Sequence, residues 1–242
     1  MKKHHLIAAF LAIVPLSASA SGPVTEALSY RAYIGGLPLG TLNLKIQLDE
    51  NRYSTEAKFD VGGWLNWALD TDARASSNGS LDAGTPVPAE FRYWVRDGKK
   101  ERNTQMLFDA SGNPSEVRAN PVFRQRPYDI GALDEVRQSV DPASAVALLA
   151  APRPTACELD MTVFDGRKLH RITLRPSSKE SKKYIRCEGR YERLAGFKAK
   201  YMVPERRAYS FDAELTQIAP NRWRPKRVWA KTKFGNAVVL LR

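Results

Sequence analysis

Phe91-Arg-Tyr-Trp-Val-Arg-Asp-Gly-Lys-Lys-Glu-Arg-Asn-Thr-Gln-Met-Leu-Phe108 is the stretch that decides the fold class. Phe91, Tyr93 and Val95 alternate with Arg92, Trp94 and Arg96, the period of two that puts successive side chains on opposite faces of a strand. This strand carries bulk on both sides. Asp97-Gly98 then interrupts the alternation, and such a pair suits the positive backbone angles of a tight hairpin turn. Lys99–Phe108 is the returning strand. The same grammar recurs outward from this hairpin. Arg52–Phe59 places Tyr53, Thr55 and Ala57 on one face and mostly charged residues on the other. Asp165-Gly166 separates Leu159–Phe164 from Lys168–Leu174, and Asn113-Pro114, Pro220-Asn221 and Gly235-Asn236 are further turn signals. Asn78-Gly79-Ser80 has the form of a glycosylation sequon and reads as a turn. Roughly a dozen strands in a meander of hairpins follow.

One helix interrupts the pattern. Asp141 is a natural N-cap, Pro142 suits the first helical position, and Ala143–Ala150 are good helix formers stopped by Pro152 and Pro154. Its surface is apolar nearly all round, which predicts burial against the sheet or in its open end. Gly62–Leu69, with two tryptophans, reads as either a strand or a short helical turn. The expected architecture is a mainly β, curved antiparallel sheet, a half-barrel or β-spiral, with one short buried helix.

The chain has 242 residues, a formal net charge of +12 and 43% hydrophobic residues, a globular composition. Residues 1–20 read as a cleavable signal peptide: Lys2 and Lys3, an apolar run Leu6–Leu16 too short to span a bilayer, and the small-x-small site Ala18-Ser19-Ala20. No cysteine stands at the cleavage point, which disfavours a lipoprotein. Residues 21–242 read as a single β-rich domain. The expected compartment is the periplasm, with contact to membranes peripheral at most. There a basic protein meets anionic lipid heads and wall polymers rather than nucleic acid. An oxidising compartment also makes a disulfide between Cys157 and Cys187 the default. Closing that loop is worth about 3.5 kcal/mol. In a plain meander, however, the two cysteines sit on strands two spacings apart, about 9.6 Å, beyond the roughly 4.4–6.8 Å that a disulfide tolerates. Cys157 must therefore lie in the loop after the helix, or the sheet must coil strongly.

Most enzyme signatures are missing: no G-x-S-x-G elbow, S-x-x-K pair, H-E-x-x-H, phosphate loop or dinucleotide fingerprint. Cleavage of the leader removes His4 and His5, leaving His170 next to a hairpin turn, where a core-edge or solvent-facing histidine is the expectation rather than a triad member. Asp60, Asp70 and Asp72 cluster in sequence and would serve only a carboxylate-based hydrolase, the least favoured class. No cofactor or metal is expected. Basic residues bunch beyond residue 178, interleaved with Tyr184, Tyr191, Tyr201, Trp223 and Trp229. The plain reading is the solvated face of alternating strands; the functional one is contact with an anionic envelope component through Arg222, Arg224, Lys226 and Arg227. Trp64, Leu65, Trp67 and Trp94 are either ordinary core or the lining of a cavity.

The order of short motifs resembles the bacterial family of exported proteins carrying domain of unknown function 3108. The matching pieces are Tyr30–Gly40, Pro88–Arg92, Val140–Ala145, Val163–Arg167, then Cys187 with Tyr191 and Gly196, and the closing stretches Trp223–Val228 and Phe234–Leu240. The resemblance implies no catalytic residues. More loosely, exported proteins of this build are similar to lipoprotein carriers and envelope-integrity proteins, which wrap a curved sheet around a helix and leave an apolar concavity. The expected function is a non-enzymatic envelope protein binding a lipid or lipidated partner. The alternative is an envelope-integrity scaffold holding cell wall or a protein partner through its basic face.

Overall fold

The computed structural model describes residues 24–62, 71–82, 85–150, 155–178 and 184–242. Residues 1–20, and Trp64, Leu65, Trp67 and Asp70, lie outside them. Thirteen antiparallel strands form one sheet: β1 (Val24–Ile34), β2 (Leu37–Leu48), β3 (Arg52–Val61), β4 (Thr71–Asp82), β5 (Thr85–Asp97), β6 (Lys100–Phe108), β7 (Pro114–Asn120), β8 (Leu159–Phe164), β9 (Leu169–Pro176), β10 (Ile185–Ala195), β11 (Ala208–Ala219), β12 (Arg222–Thr232) and β13 (Gly235–Leu241). The spatial order is β7-β6-β5-β4-β3-β2-β1-β13-β12-β11-β10-β9-β8. Each half is thus an uninterrupted meander, and the first and last strands join the halves, with Arg31 opposite Leu240.

Local chemistry accounts for the hairpins. Gly98 and Gly166 take φ of +57° and +90° in the expected turns, and Asn221 takes +55° between β11 and β12. At Gly235 the turn falls two residues earlier than expected: Lys233 and Phe234 form it, and Gly235 opens β13. The Asn78-Gly79-Ser80 turn does not form. Those residues run through β4, where a bulge separates Asn78 from Gly79. A Cβ on Gly79 would press into the Val87 carbonyl and the Tyr53 ring. Glycine marks close backbone approach here, not chain reversal.

Helix α1 (Pro142–Ala150) lies on the inner face of the sheet, with Ala143, Ser144, Ala145 and Ala147 buried. It is buried because, Ser144 apart, it is apolar all round; Ala147 packs with Ile46, Leu48 and Tyr53, and Ala145 with Met161 and Val163. The edges curl toward each other. Phe164 and Leu169 of the β8–β9 hairpin pack with Phe91 and Met106 of β5 and β6, together with Val136 of the connecting segment. Val140 bridges to Val163 of β8, so the chain just before α1 covers that edge, a common guard against edge-to-edge pairing. The sheet is not closed into a barrel; packing, not strand pairing, brings its edges together.

The disulfide forms as the geometry demanded. Cys157 sits in the loop after α1, Cys187 in β10, with Cα atoms 5.3 Å apart. β9 ends at Pro176, directly opposite Cys187, so Cys157 reaches across the strand's last residue. The bond fastens the helix exit to the β10–β11 wall, where Leu174, Ala213, Leu215 and Trp223 surround it.

Candidate functional site

The inner face of the sheet leaves an apolar cavity of about 190 Å³ beside α1. Strand alternation builds it: Leu28 and Tyr30 of β1, Leu42, Leu44 and Ile46 of β2, Val228 of β12 and Val239 of β13 point inward, facing Val146 and Leu149 of the helix. An engineered hydrocarbon-lined cavity of about 150 Å³ stays dry and takes up benzene, whereas drug-sized ligands occupy roughly 300–1,000 Å³. The space beside α1 therefore suits a short run of hydrocarbon.

Polar groups appear at two places around it. A buried cluster pins the start of α1 to the sheet. Asp141 accepts hydrogen bonds from the Ala143 and Ser144 backbone N–H groups at 2.8 and 2.9 Å and from the Ser77 hydroxyl at 2.9 Å. The Ser144 hydroxyl also donates to it, and Tyr53 and Ser144 hydroxyls share a hydrogen at 2.6 Å. Burial pushes the Asp141 carboxyl above its ordinary range despite these donors. Burial likewise raises the Tyr53 phenol to about 12. The second polar place is the cavity wall, where Glu26 of β1 pairs with Arg222 and, at 3.1 Å, with Arg224 of β12. Nearby, the Tyr30 hydroxyl donates to the Pro225 carbonyl at 3.0 Å, and burial raises that phenol to about 12.

A second concavity lies on the opposite, outer face of β1–β7. Cross-strand register assembles it in rows, one running Lys45–Glu56–Ser76–Arg92–Gln105–Arg118. Its cations are largely paired within their own strands, Lys58 with Asp60, Arg74 with Asp72, Arg92 with Glu90 and Arg118 with Glu116.

These two surfaces divide the residues singled out from the sequence. Trp94 belongs to the outer face, its indole N–H donating to Glu101 and the Arg74 guanidinium over its ring; it does not line the inner cavity. Trp64, Leu65 and Trp67 lie outside the described residues. Arg222 and Arg224 reach the cavity wall, while Arg227 stacks on Trp229 at 4.8 Å; Lys226 is half-buried. The basic–aromatic interleaving resolves into contacts of this kind rather than into a uniform solvated face. Arg193 is ringed by Tyr191, Phe197, Tyr201 and Tyr209. Asp60 and Asp72 are cross-strand neighbours, each with its own cation. His170 sits at the core edge, between the Tyr191 hydroxyl at 2.6 Å and the Asp165 carboxylate at 3.5 Å. Burial works to raise the Asp165 carboxyl, but His170 and the Lys168 and Arg167 backbone N–H groups overcome it and hold it low. Among the described residues no three His, Cys, Asp or Glu side chains gather into a metal-binding group. Sequence reasoning missed Glu26 and the aliphatic lining of β2. The signal for the lining was there, in the alternation Leu42-Asn-Leu44-Lys-Ile46; for Glu26 there was none, since its partners lie almost two hundred residues away.

No curated protein matches the chain. A solved structure that matches is a β-barrel-like protein of domain of unknown function DUF1849 from Brucella abortus, 11% identical, covering 90% of this chain and 96% of its own, with a TM-score of 0.45. The model of a protein family of unknown function, DUF3108, matches residues 29–242, nearly all of the described sheet and its helix, and the chain belongs to that family.

Proposed function

We propose that the chain is a non-enzymatic binding module of the bacterial envelope that holds the apolar part of a lipid or lipidated partner between α1 and the sheet. The observation that carries this reading is the cavity itself, walled mainly by aliphatic side chains with Tyr30 and Trp223 and ending at the charged Glu26 and Arg224. The leader-like residues 1–20 and the disulfide support a periplasmic setting. Native mass spectrometry of the protein expressed with its first twenty residues, followed by solvent extraction, tests it. The expected result is a stoichiometric bound lipid that is lost from Leu44→Trp, a variant that fills the cavity. A clean apo mass, or retention of the lipid by the filled variant, refutes it.

The outer concavity favours a second reading, an envelope-integrity scaffold. Seven strands at about 4.8 Å spacing give a face about 29 Å wide, long enough to lie along a polymer. Retention on isolated cell-wall material is the expected outcome, and Trp94→Ala with Asn103→Leu should abolish it. Equal retention of the variant refutes that reading.

A further inference from the structure

The wall between β1 and β12 contains a seam. β13 pairs with Tyr30–Ile34 of β1 and with Arg227–Thr232 of β12 and ends at Leu241. The Arg242 N–H still donates to the Ser29 carbonyl at 2.9 Å; beyond it, Val24–Leu28 and Arg222–Lys226 face each other with no strand between them. Glu26 crosses this gap from one side and Arg222 and Arg224 from the other. One carboxylate against two guanidiniums leaves a surplus positive charge. The three side chains are only 10%, 17% and 29% exposed, and the Nε atoms of both arginines are buried without a hydrogen-bond partner. Glu26 and Arg224 also line the apolar cavity. An uncompensated cation and orphan donors beside hydrocarbon are unfavourable, and an anion arriving in the seam removes both penalties. Guanidinium groups supply the paired N–H donors that carboxylate and phosphate oxygens accept.

We infer that the seam is a headgroup site: it takes the anionic head of a single-chain amphiphile, carboxylate or phosphate, whose tail lies in the cavity. This rests on the apolar-cavity reading above and adds the sign of the head and its way in. The gap is held by side-chain ion pairs instead of a continuous backbone ladder, so tail and head can enter there together.

Four probes with one tail test it by calorimetry on the unmodified protein: octanoate, octyl phosphate, octanol and octyltrimethylammonium. The expected result is that at least one anion binds about tenfold or more tighter than octanol, the size of one charge-assisted hydrogen bond, and that the ammonium binds weakest. Preference between octanoate and octyl phosphate identifies the head as a fatty acid or a lipid phosphate. Arg224→Gln should bring the anions down to the level of octanol, and Glu26→Gln, which removes the competing carboxylate, should tighten them. Octanol binding as well as both anions, or the ammonium binding best, overturns the headgroup site and leaves the cavity reading standing. If none of the four binds, both fall. The probe series on the unmodified chain decides the matter even where a variant fails to fold.

Discussion

Replacing Asp141 by alanine should loosen the helix from the sheet and cost about 2–4 kcal/mol of unfolding free energy. The estimate is built from the bonds that Asp141 receives. Losing an N-cap costs about 1 kcal/mol. The Ser77 and Ser144 hydroxyls lose an acceptor as well, but they are 2.9 Å from each other, and Ser77 also has the Glu90 carbonyl at 3.1 Å. The hydroxyls can therefore stay paired along the chain Tyr53–Ser144–Ser77–Glu90, and the further cost of about 1–3 kcal/mol is that of leaving a capped N–H of the buried Ala143 and Ser144 unsatisfied. Urea unfolding of the oxidised protein measures the change, read as a shift in midpoint with the denaturant slope unaltered. Asp141→Asn keeps the oxygen that caps Ala143 and Ser144 and should cost less than ~1 kcal/mol. It also isolates a pH effect. Because burial raises the folded carboxyl above its unfolded value, the folded state holds this proton more tightly. The group's stabilisation is complete below the unfolded pKa and is lost as pH rises through the folded one. The difference in stability between wild type and Asp141→Asn should therefore shift toward the variant as pH rises from acid to neutral. A cost below ~1 kcal/mol for the alanine variant, or a pH-independent difference, refutes the reasoning.

Reduction of Cys157–Cys187 should lower stability by about 3.5 kcal/mol in the loop-entropy estimate for a separation of 30 residues, measured by urea unfolding with and without a thiol reductant; an unchanged midpoint refutes it. Tyr30 and Tyr53, with phenols raised from 10 to about 12, each favour the folded state below pH 10 and lose that contribution as pH rises toward 12. Alkaline unfolding followed by phenolate absorbance should be cooperative there, and Tyr53→Phe should weaken the pH dependence. Gly79→Ala should cost more than ~2 kcal/mol, since its Cβ meets backbone rather than a movable side chain; Gly36→Ala, at φ +86° with nothing near it, should cost only about 1 kcal/mol. Thermal melts of the two variants give the comparison, and equal losses refute the close-approach account.

The architecture was legible because its determinants are local. Alternation in Phe91–Val95, the Asp-Gly turns and the Asp141-Pro142 start each act within a few residues, and the disulfide geometry added one long-range constraint, that Cys157 lie in the loop after the helix or the sheet coil strongly, of which the structure shows the first. Gly79 misled because a glycine inside a strand and a glycine in a turn look alike when the neighbouring strand is unknown. The site was harder for the same reason. Arg222 and Arg224 were singled out for their charge, but what they face depends on where β13 stops relative to β1 and β12, a matter of register that composition does not carry. Trp94 shows the same limit: it was marked as core or the lining of a cavity, and the alternation that buries Phe91 turns it, three residues on, to the outer concavity instead of the inner one.

The meeting of β1 with β13 has a kinetic consequence. Every other strand pair joins neighbours in sequence, so both meanders can zip up locally and early. The central seam cannot form until the last strand has been made and has found the first, which pays the loop-closure entropy of almost the whole chain. Until then the inner aliphatic faces of β2 and β12 are open to solvent and β1 presents a bare edge. The folding chain is thus most exposed to aggregation in its final step, and a ligand that binds across Glu26 and Arg224 would speed or secure that step as well as being carried by its product.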